Sequence, residues 1–170
     1  ISQPSHSWLT GVANLFTQEY FEIVKGNLTE KGVFSQWLNL YNMNQEVLKS
    51  ILKTFYTVFP NGGIFTNHGD EEVILIGTKQ DIKYSLERLT VLSQDKKIKN
   101  QMAQIPFKSP YHLLAHFSIG REDILKLTHK ATLNTDVNAF AEVRQSKLFY
   151  QGSKSNPEDW INNNFSSKFP

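Results

Sequence analysis

The sequence predicts an α/β fold, because one strand-like segment lies between two helix-like segments. The strand-like segment is residues 32–41, GVFSQWLNLY. The preceding helix is predicted to begin near Gln18, with Thr17 as its N-cap residue. The following helix is predicted from Asn44, its N-cap residue, to Phe59, and apolar residues recur there at helical spacing. Helix, strand and helix in this order make up half of an α/β unit.

Gln36 is the unusual residue of the predicted strand. Side chains alternate along a strand, so Gln36 shares one face with Phe34 and Leu38 near the carboxyl end. Ligands of open α/β sheets bind outside the carboxyl ends of the strands. Gln36, Trp37 and Tyr41 therefore predict a substrate pocket in which an amide orients a polar group and rings line the walls. The alternative is that the two rings belong to the core and that Gln36 bonds to a neighbouring loop.

The second half of the chain predicts a hairpin and then several short helices. Residues 64–66 and 73–77 are short apolar segments joined by a turn-rich loop, which predicts a hairpin at the edge of the sheet. From Thr78 onward the apolar spacing becomes helical. The predicted helices are residues 82–92, 98–105, 111–117 and 122–127.

These elements divide the chain into four predicted parts. A last strand is predicted at residues 139–143, and Trp160 and Phe165 are expected to anchor the end of the chain. The parts are an α/β part (1–79), a small helical subdomain (80–131), a returning loop and strand (132–150) and a loosely ordered tail (151–170).

Composition excludes several classes of protein. The chain has 170 residues, a formal net charge of +2 and no cysteine. The basic residues are scattered, so we expect no nucleic-acid partner and no contact with an anionic membrane. No apolar run reaches the roughly 20 residues of a membrane span. Without thiols the chain forms no disulfide, and we expect a cytoplasmic location, either alone or as the cytoplasmic part of a membrane-anchored protein.

Two clusters have the composition of metal ligands, but we predict no metal site. His112 and His116 have the spacing of zinc ligands on a helix, yet no third ligand is evident. Partly buried histidines of the helical subdomain are the favoured interpretation. His68 with the acidic residues 70–72 is interpreted as a solvated turn rather than a cation site.

The start of the chain suggests a piece of a longer protein. The chain begins at Ile1 rather than at methionine, and residues 1–8 have the pattern of a strand end followed by a loop. We expect that the preceding sequence supplies the rest of the sheet. The exposed sheet edge that results predicts self-association.

Seven segments together resemble the second half of the spermidine synthase-like proteins. The similarity is strongest to the bacterial branch in which this domain can be fused to a transporter-like membrane region. The segments are residues 1–8 (ISQPSHSW), 11–21 (GVANLFTQEYF), 32–38 (GVFSQWL), 58–60 (VFP), 75–80 (LIGTKQ), 113–117 (LLAHF) and 133–136 (LNTD), in the same order.

The resemblance implies the second half of a doubly wound, Rossmann-like sheet of the S-adenosylmethionine-dependent methyltransferase type. It also implies that the nucleoside-binding half lies upstream of Ile1. In spermidine synthases the amine of a polyamine attacks the aminopropyl carbon of decarboxylated S-adenosylmethionine. Gln36 matches a glutamine that orients the polyamine, and Trp37, Tyr41 and Gln3 are expected on the same acceptor side.

The sequence departs from the family at the residue that deprotonates the amine. The family has acidic residues before the proline that corresponds to Pro4, whereas this chain has Ser2 and Gln3 there. Two alternatives therefore accompany the transferase hypothesis. One is a methyltransferase that uses S-adenosylmethionine on a small acceptor, and the other is a non-catalytic interaction domain that kept the fold.

Overall fold

The computed structural model describes residues 1–66, 71–81, 85–104, 109–151 and 157–165. It has a mixed α/β architecture, which confirms the α/β prediction at this coarse level. A short 3₁₀ turn at Ala13–Phe16 precedes the first helix. The elements are α1 (Gln18–Asn27), β1 (Val33–Asn39), α2 (Gln45–Val58), β2 (Asn61–Thr66), β3 (Glu72–Thr78), α3 (Leu86–Gln94), α4 (Lys96–Met102), α5 (Pro110–Ala115), β4 (Phe117–Gly120), α6 (Arg121–Leu127), α7 (Phe140–Tyr150) and α8 (Pro157–Asn164).

The four strands form one open sheet in the order β1-β3-β2-β4. Each neighbouring pair is antiparallel. The predicted pairing of β2 with β3 is confirmed, but its predicted place at the sheet edge is wrong, because β3 lies between β1 and β2. Burial alternates along β3, where Val73 and Leu75 are buried and Ile74 is 41% exposed, so its place between β1 and β2 follows from pairing along both edges of the strand.

Helices α1 and α2 pack on one face of the sheet and form the core there. Phe34 of β1 stacks on Phe55 of α2 and on Phe59, which follows that helix, with ring centroids 5.9 and 5.6 Å away. Phe21 of α1 meets Phe55 edge to face at 5.0 Å. Burying such rings is the main favourable contribution to folding here, about 1.5–3 kcal/mol for each side chain.

Both predicted N-caps are confirmed. The Thr17 hydroxyl accepts a hydrogen bond from the Tyr20 amide, and the Asn44 side chain accepts one from the Glu46 amide. These bonds satisfy amide groups that the first turn of a helix leaves without an intrahelical partner. The capping side chains of Thr17 and Asn44 therefore set where the two helices begin.

Two predicted elements are wrong. Residues 117–120, assigned in part to a predicted helix, form β4, because Ile119 pairs with Ile64 and buries its side chain. Residues 139–143, predicted as a strand, belong largely to α7. Asn138 favours the helix there, since its side-chain oxygen accepts a hydrogen bond from the Phe140 amide.

The described part of the predicted tail contains a helix. Helix α8 lies inside the predicted tail, and Ile161 and Phe165 are buried. Trp160, which packs against Phe165 at 5.3 Å, is half-buried. Residues 152–156 and 166–170 of that tail lie outside the described residues. Within the described ranges, no helix combines the length and apolarity needed to cross a membrane.

Candidate functional site

The candidate site lies where the first residues of the chain leave the edge of β1. Ser2 pairs with Gln36 in a parallel bridge. The Ser2 amide donates to the Ser35 carbonyl at 2.8 Å, and the Trp37 amide donates to the Ser2 carbonyl at 2.9 Å. The next bond of a parallel ladder would run from residue 4 to the Trp37 carbonyl. Residue 4 is proline and has no N–H, so the ladder stops and the chain diverges.

The Gln36 side chain bonds the Trp37 carbonyl, the acceptor that Pro4 cannot reach with an N–H. Its Nε2 atom donates to the Trp37 carbonyl at 3.1 Å. Because a carbonyl oxygen only accepts, this contact fixes which end of the amide is nitrogen. The whole side chain is buried, with 0% exposure. The Oε1 atom is therefore also inside the protein, at the fork where the first residues of the chain diverge from β1. It has no hydrogen-bond partner among the residues that the structure describes.

Two more buried polar atoms in this region lack a partner within the described ranges. They are His6 Nδ1 and Ser7 Oγ, and with Gln36 Oε1 we call them the open atoms. His6 and Ser7 belong to the segment that leaves the Ser2 bridge, so the fold brings them to the carboxyl end of β1. Each buried polar group without a partner costs roughly 1–3 kcal/mol, a cost that native structures usually avoid. The three open atoms lie in two segments that the Ser2 bridge joins, and they are the candidate contacts for a ligand.

A fourth such atom, the Tyr56 hydroxyl oxygen, belongs to α2 rather than to the two segments of the open atoms. It is in the core beside the backbone of Ile76, and burial raises the pKa of the Tyr56 hydroxyl well above its usual value. The smaller effect of the Ile76 backbone acts in the opposite direction. We assign this residue to the core rather than to the site.

The other sequence-predicted site residues do not share a face with Gln36. Trp37 points to the opposite face of the sheet, where its indole Nε1 donates to Glu72 Oε2 at 2.6 Å. Tyr41 is 51% exposed, and its backbone amide is held by the Asn39 side chain. Gln3 is exposed beside Pro4. The rings therefore do not belong to the core, and they do not line one pocket with Gln36.

Helix α7 holds the two segments that flank the open atoms. The Gln145 side chain accepts a hydrogen bond from the Asn44 amide and donates one to the Asn42 carbonyl, each at 2.8 Å. Glu142 accepts a hydrogen bond from the Thr10 hydroxyl at 2.7 Å. Gln145 thus fixes the loop after β1, and Glu142 fixes the loop after Ser2.

Two surface grooves lie at the other end of the strands. One has a volume of about 400 Å³ and is bordered by Lys25, Val58 and Lys79. The other, of about 320 Å³, is bordered by Asn61 and by the first residues of α6. Both grooves are at the amino ends of β1 and β2. In the larger groove both lysines donate to backbone carbonyls at helix ends, so their charges cap helices.

The histidines of the helical subdomain do not form the alternative zinc site. Helix α5 ends at Ala115, so His112 and His116 do not share a helical face. His112 is exposed, and His116 Nδ1 lies 2.9 Å from the Thr66 carbonyl oxygen. Nowhere in the described ranges do three histidine or carboxylate side chains gather as metal ligands would. His68 and Asp70 of the other cluster lie outside the described residues.

Sequence reasoning missed His6 and Ser7. The available signal was their position, since they follow a strand end at the carboxyl edge of the sheet, between Pro4 and Trp8. His6 carries the only imidazole of residues 1–10.

A comparison of the chain with protein-family models and with curated proteins finds no match.

Proposed function

We propose that this chain is the C-terminal part of a spermidine synthase-like transferase. In this proposal the whole protein moves an aminopropyl group from decarboxylated S-adenosylmethionine to the amine of a polyamine. The chain supplies the acceptor side of the site, with Gln36 as the orienting residue. The nucleoside is held mainly by residues outside this chain, so the chain alone is inactive.

The chain path supports a doubly wound sheet for the whole protein. Ser2 runs parallel to β1, and α1 connects the two. β1 and β2 are each antiparallel to β3, so they run parallel to one another, and α2 connects them. Two successive parallel connections through a helix are the repeating unit of doubly wound folds. The antiparallel β3 is then an insertion between two strands of that unit.

The buried amide of Gln36 is the observation that carries the proposal. It lies at the middle of β1, at the bridge with Ser2, and ligands of such sheets bind beyond the carboxyl ends of the strands. One of its two N–H groups donates to the Trp37 carbonyl, and its oxygen has no partner among the described residues, so the oxygen is the atom that we assign to the ligand. A neutral oxygen acceptor suits the N–H groups of an amine. It suits the carboxylate or phosphate of an acidic substrate poorly, because two acceptors repel each other.

The missing acid near Pro4 favours a second hypothesis, a domain that binds without catalysis. Ser2 and Gln3 are neutral, and Gln3 is exposed. A neutral side chain can accept a hydrogen bond from an ammonium group but cannot remove its proton. A methyltransferase that uses S-adenosylmethionine is the third hypothesis, and it shares the same nucleoside requirement.

The test uses the full-length protein with each candidate ligand. Calorimetry with methylthioadenosine, S-adenosylmethionine and putrescine measures binding, and chromatography measures methylthioadenosine released from decarboxylated S-adenosylmethionine and putrescine. We expect binding of methylthioadenosine and putrescine, together with release that requires putrescine. If none of the three ligands gives a heat of binding, the result would favour the interaction domain. Binding of S-adenosylmethionine without release would favour the methyltransferase.

Gln36→Leu is the matched variant for the role of the amide. Leucine keeps much of the volume and removes both amide atoms, so we expect a stability change within about 1.5 kcal/mol. Binding of putrescine should weaken at least tenfold. An unchanged putrescine affinity in a folded Gln36→Leu protein would remove Gln36 from the acceptor site.

The proposal includes self-association of the isolated chain through the edge of β1. On the side away from β3, Ser2 provides the only backbone pairing of β1 within the described residues. Val33, at the start of that strand, is 59% exposed. Open strand edges pair with other chains. Light scattering that reports a monomer at every concentration tested would contradict this part of the proposal.

A further inference from the structure

We propose that His6 is the proton acceptor for the attacking amine. This inference rests on the transferase function proposed above and deepens it. The His6 imidazole, in the loop that follows the Ser2 bridge, takes the role of the acidic residue that this sequence lacks. The imidazole nitrogen Nδ1 is one of the three open atoms.

The position of His6 follows from the parallel bridge. Ser2 is fixed against Gln36, and His6 is only four positions after Ser2. An extended chain of that length spans at most about 14 Å. The loop also turns back on itself, because the Leu9 amide donates to the His6 carbonyl at 3.2 Å. His6 therefore lies within about 14 Å of Ser2, the residue that pairs with Gln36.

The ring of His6 is oriented by stacking rather than by a hydrogen bond at Nδ1. It lies on the Trp8 ring, with centroids 4.8 Å apart and planes 22° apart. When the ring proton is on Nε2, Nδ1 carries a lone pair and acts as a base. Its next neighbour Ser7 is 1% exposed and brings a second open atom to the same loop.

The chemical step balances with these groups. The ammonium form of the polyamine gives one proton to His6 Nδ1, which becomes an imidazolium, and the amine regains its lone pair. The Gln36 oxygen accepts a remaining N–H. The amine lone pair then forms the bond to the aminopropyl carbon, the carbon–sulfur bond breaks, and its electron pair stays on the sulfur of the leaving methylthioadenosine. General bases of this kind contribute 10²- to 10⁴-fold, so their loss lowers the turnover rate rather than substrate binding.

The first test uses His6→Gln and His6→Ala in the full-length protein. We expect kcat to fall at least 100-fold in both variants, with KM for putrescine changed less than threefold, and added imidazole should restore activity to His6→Ala. His129→Gln is the matched control. His129 is exposed on a turn and its ring contacts only the local Lys126 carbonyl among the bonds of the described residues, so this variant should keep the unaltered kcat.

The second test does not depend on catalysis. In this chain labelled at its histidine rings, the His6 signal is assigned by its loss in His6→Gln. Putrescine should shift that signal and leave the His129 signal unchanged. An active full-length protein in which His6→Gln keeps its kcat, or in which imidazole restores nothing, would overturn this inference alone. An unchanged His6 signal at saturating putrescine would overturn it as well. No methylthioadenosine release by the unaltered full-length protein would overturn this inference together with the proposed function.

Discussion

The Asn134 side chain donates to the Phe16 carbonyl at 3.0 Å, although 118 positions separate the two residues. Its side-chain oxygen accepts from the Ala141 amide, so one buried amide joins the turn before α1 to the start of α7. Its backbone is bonded as well, since its amide donates to the Thr54 hydroxyl and its carbonyl accepts from the Gln18 amide. Asn134 thus ties α7, which holds both flanking loops of the candidate site, to the core.

Asn134→Ala should lower the free energy of unfolding by about 2–4 kcal/mol. The substitution leaves the Phe16 carbonyl and the Ala141 amide buried without their partner, and each such group costs roughly 1–3 kcal/mol. Urea unfolding followed by circular dichroism measures the change. Asn100→Ala, at an exposed position of α4, should stay within about 0.5 kcal/mol of the unaltered protein. Equal stability of the two variants would contradict the role given to Asn134.

Gln145 variants should separate its two hydrogen bonds. In Gln145→Leu the Asn44 amide loses its acceptor, so its hydrogen should exchange with solvent at least tenfold faster. In Gln145→Glu the carboxylate still accepts from that amide, so protection should persist there, although the bond to the Asn42 carbonyl is lost. Amide exchange measured by NMR distinguishes the two. Loss of protection at Asn44 in both variants would mean that the bond to the Asn42 carbonyl, which both variants lack, is the one that protects this amide.

Alanine should have opposite effects at two glycines. A Cβ atom at Gly77 would lie 2.5 Å from Phe59 Cγ, and Phe59 is fully buried, so Gly77→Ala should destabilise the protein by about 1–3 kcal/mol. Gly26 lies in α1 with nothing within 4 Å of a Cβ, so Gly26→Ala should stabilise it by about 0.5–1 kcal/mol. Thermal unfolding measures both changes. A shift of the melting temperature in the same direction in both variants would contradict the crowding assigned to Gly77 and the free space assigned to Gly26.

Tyr56 should make stability depend on pH in the alkaline range. Burial raises the pKa of its hydroxyl in the folded protein, whereas the unfolded chain loses that proton near a pKa of about 10. Above that value the unfolded state binds fewer protons than the folded state, so the free energy of unfolding falls as pH rises. The contribution of this residue has a slope of up to about 1.4 kcal/mol for each pH unit. Tyr56→Phe should lack this contribution, and parallel curves for both proteins between pH 9 and 11 would refute it.

Local chemistry was sufficient to predict the first half of the chain. Thr17 and Asn44 are caps because their side chains reach amides two or three residues away, and the sequence displays such contacts directly. The alternation that put Gln36 beside Phe34 is also local, and the burial of both residues confirms it.

The order of the strands depends on contacts between distant residues. Nothing near Val73 states that β3 enters between β1 and β2, because that order is set by pairing across the sheet. Residues 117–120 became a strand by pairing with β2, which a helical pattern in the preceding residues concealed. The same limit explains the site. Pro4, Gln36 and the Trp37 carbonyl meet through a parallel bridge that no local pattern contains.

The proline at position 4 also acts on the side chain of another segment. Pro4→Ala would return a backbone N–H to the residue best placed to bond the Trp37 carbonyl. That N–H would compete with Gln36 Nε2 for a single oxygen, and the displaced amide would be free to turn over. Pro4 thus determines that Gln36 offers its oxygen, an acceptor, to the ligand. Pro4 itself makes no contact with the ligand in our proposal.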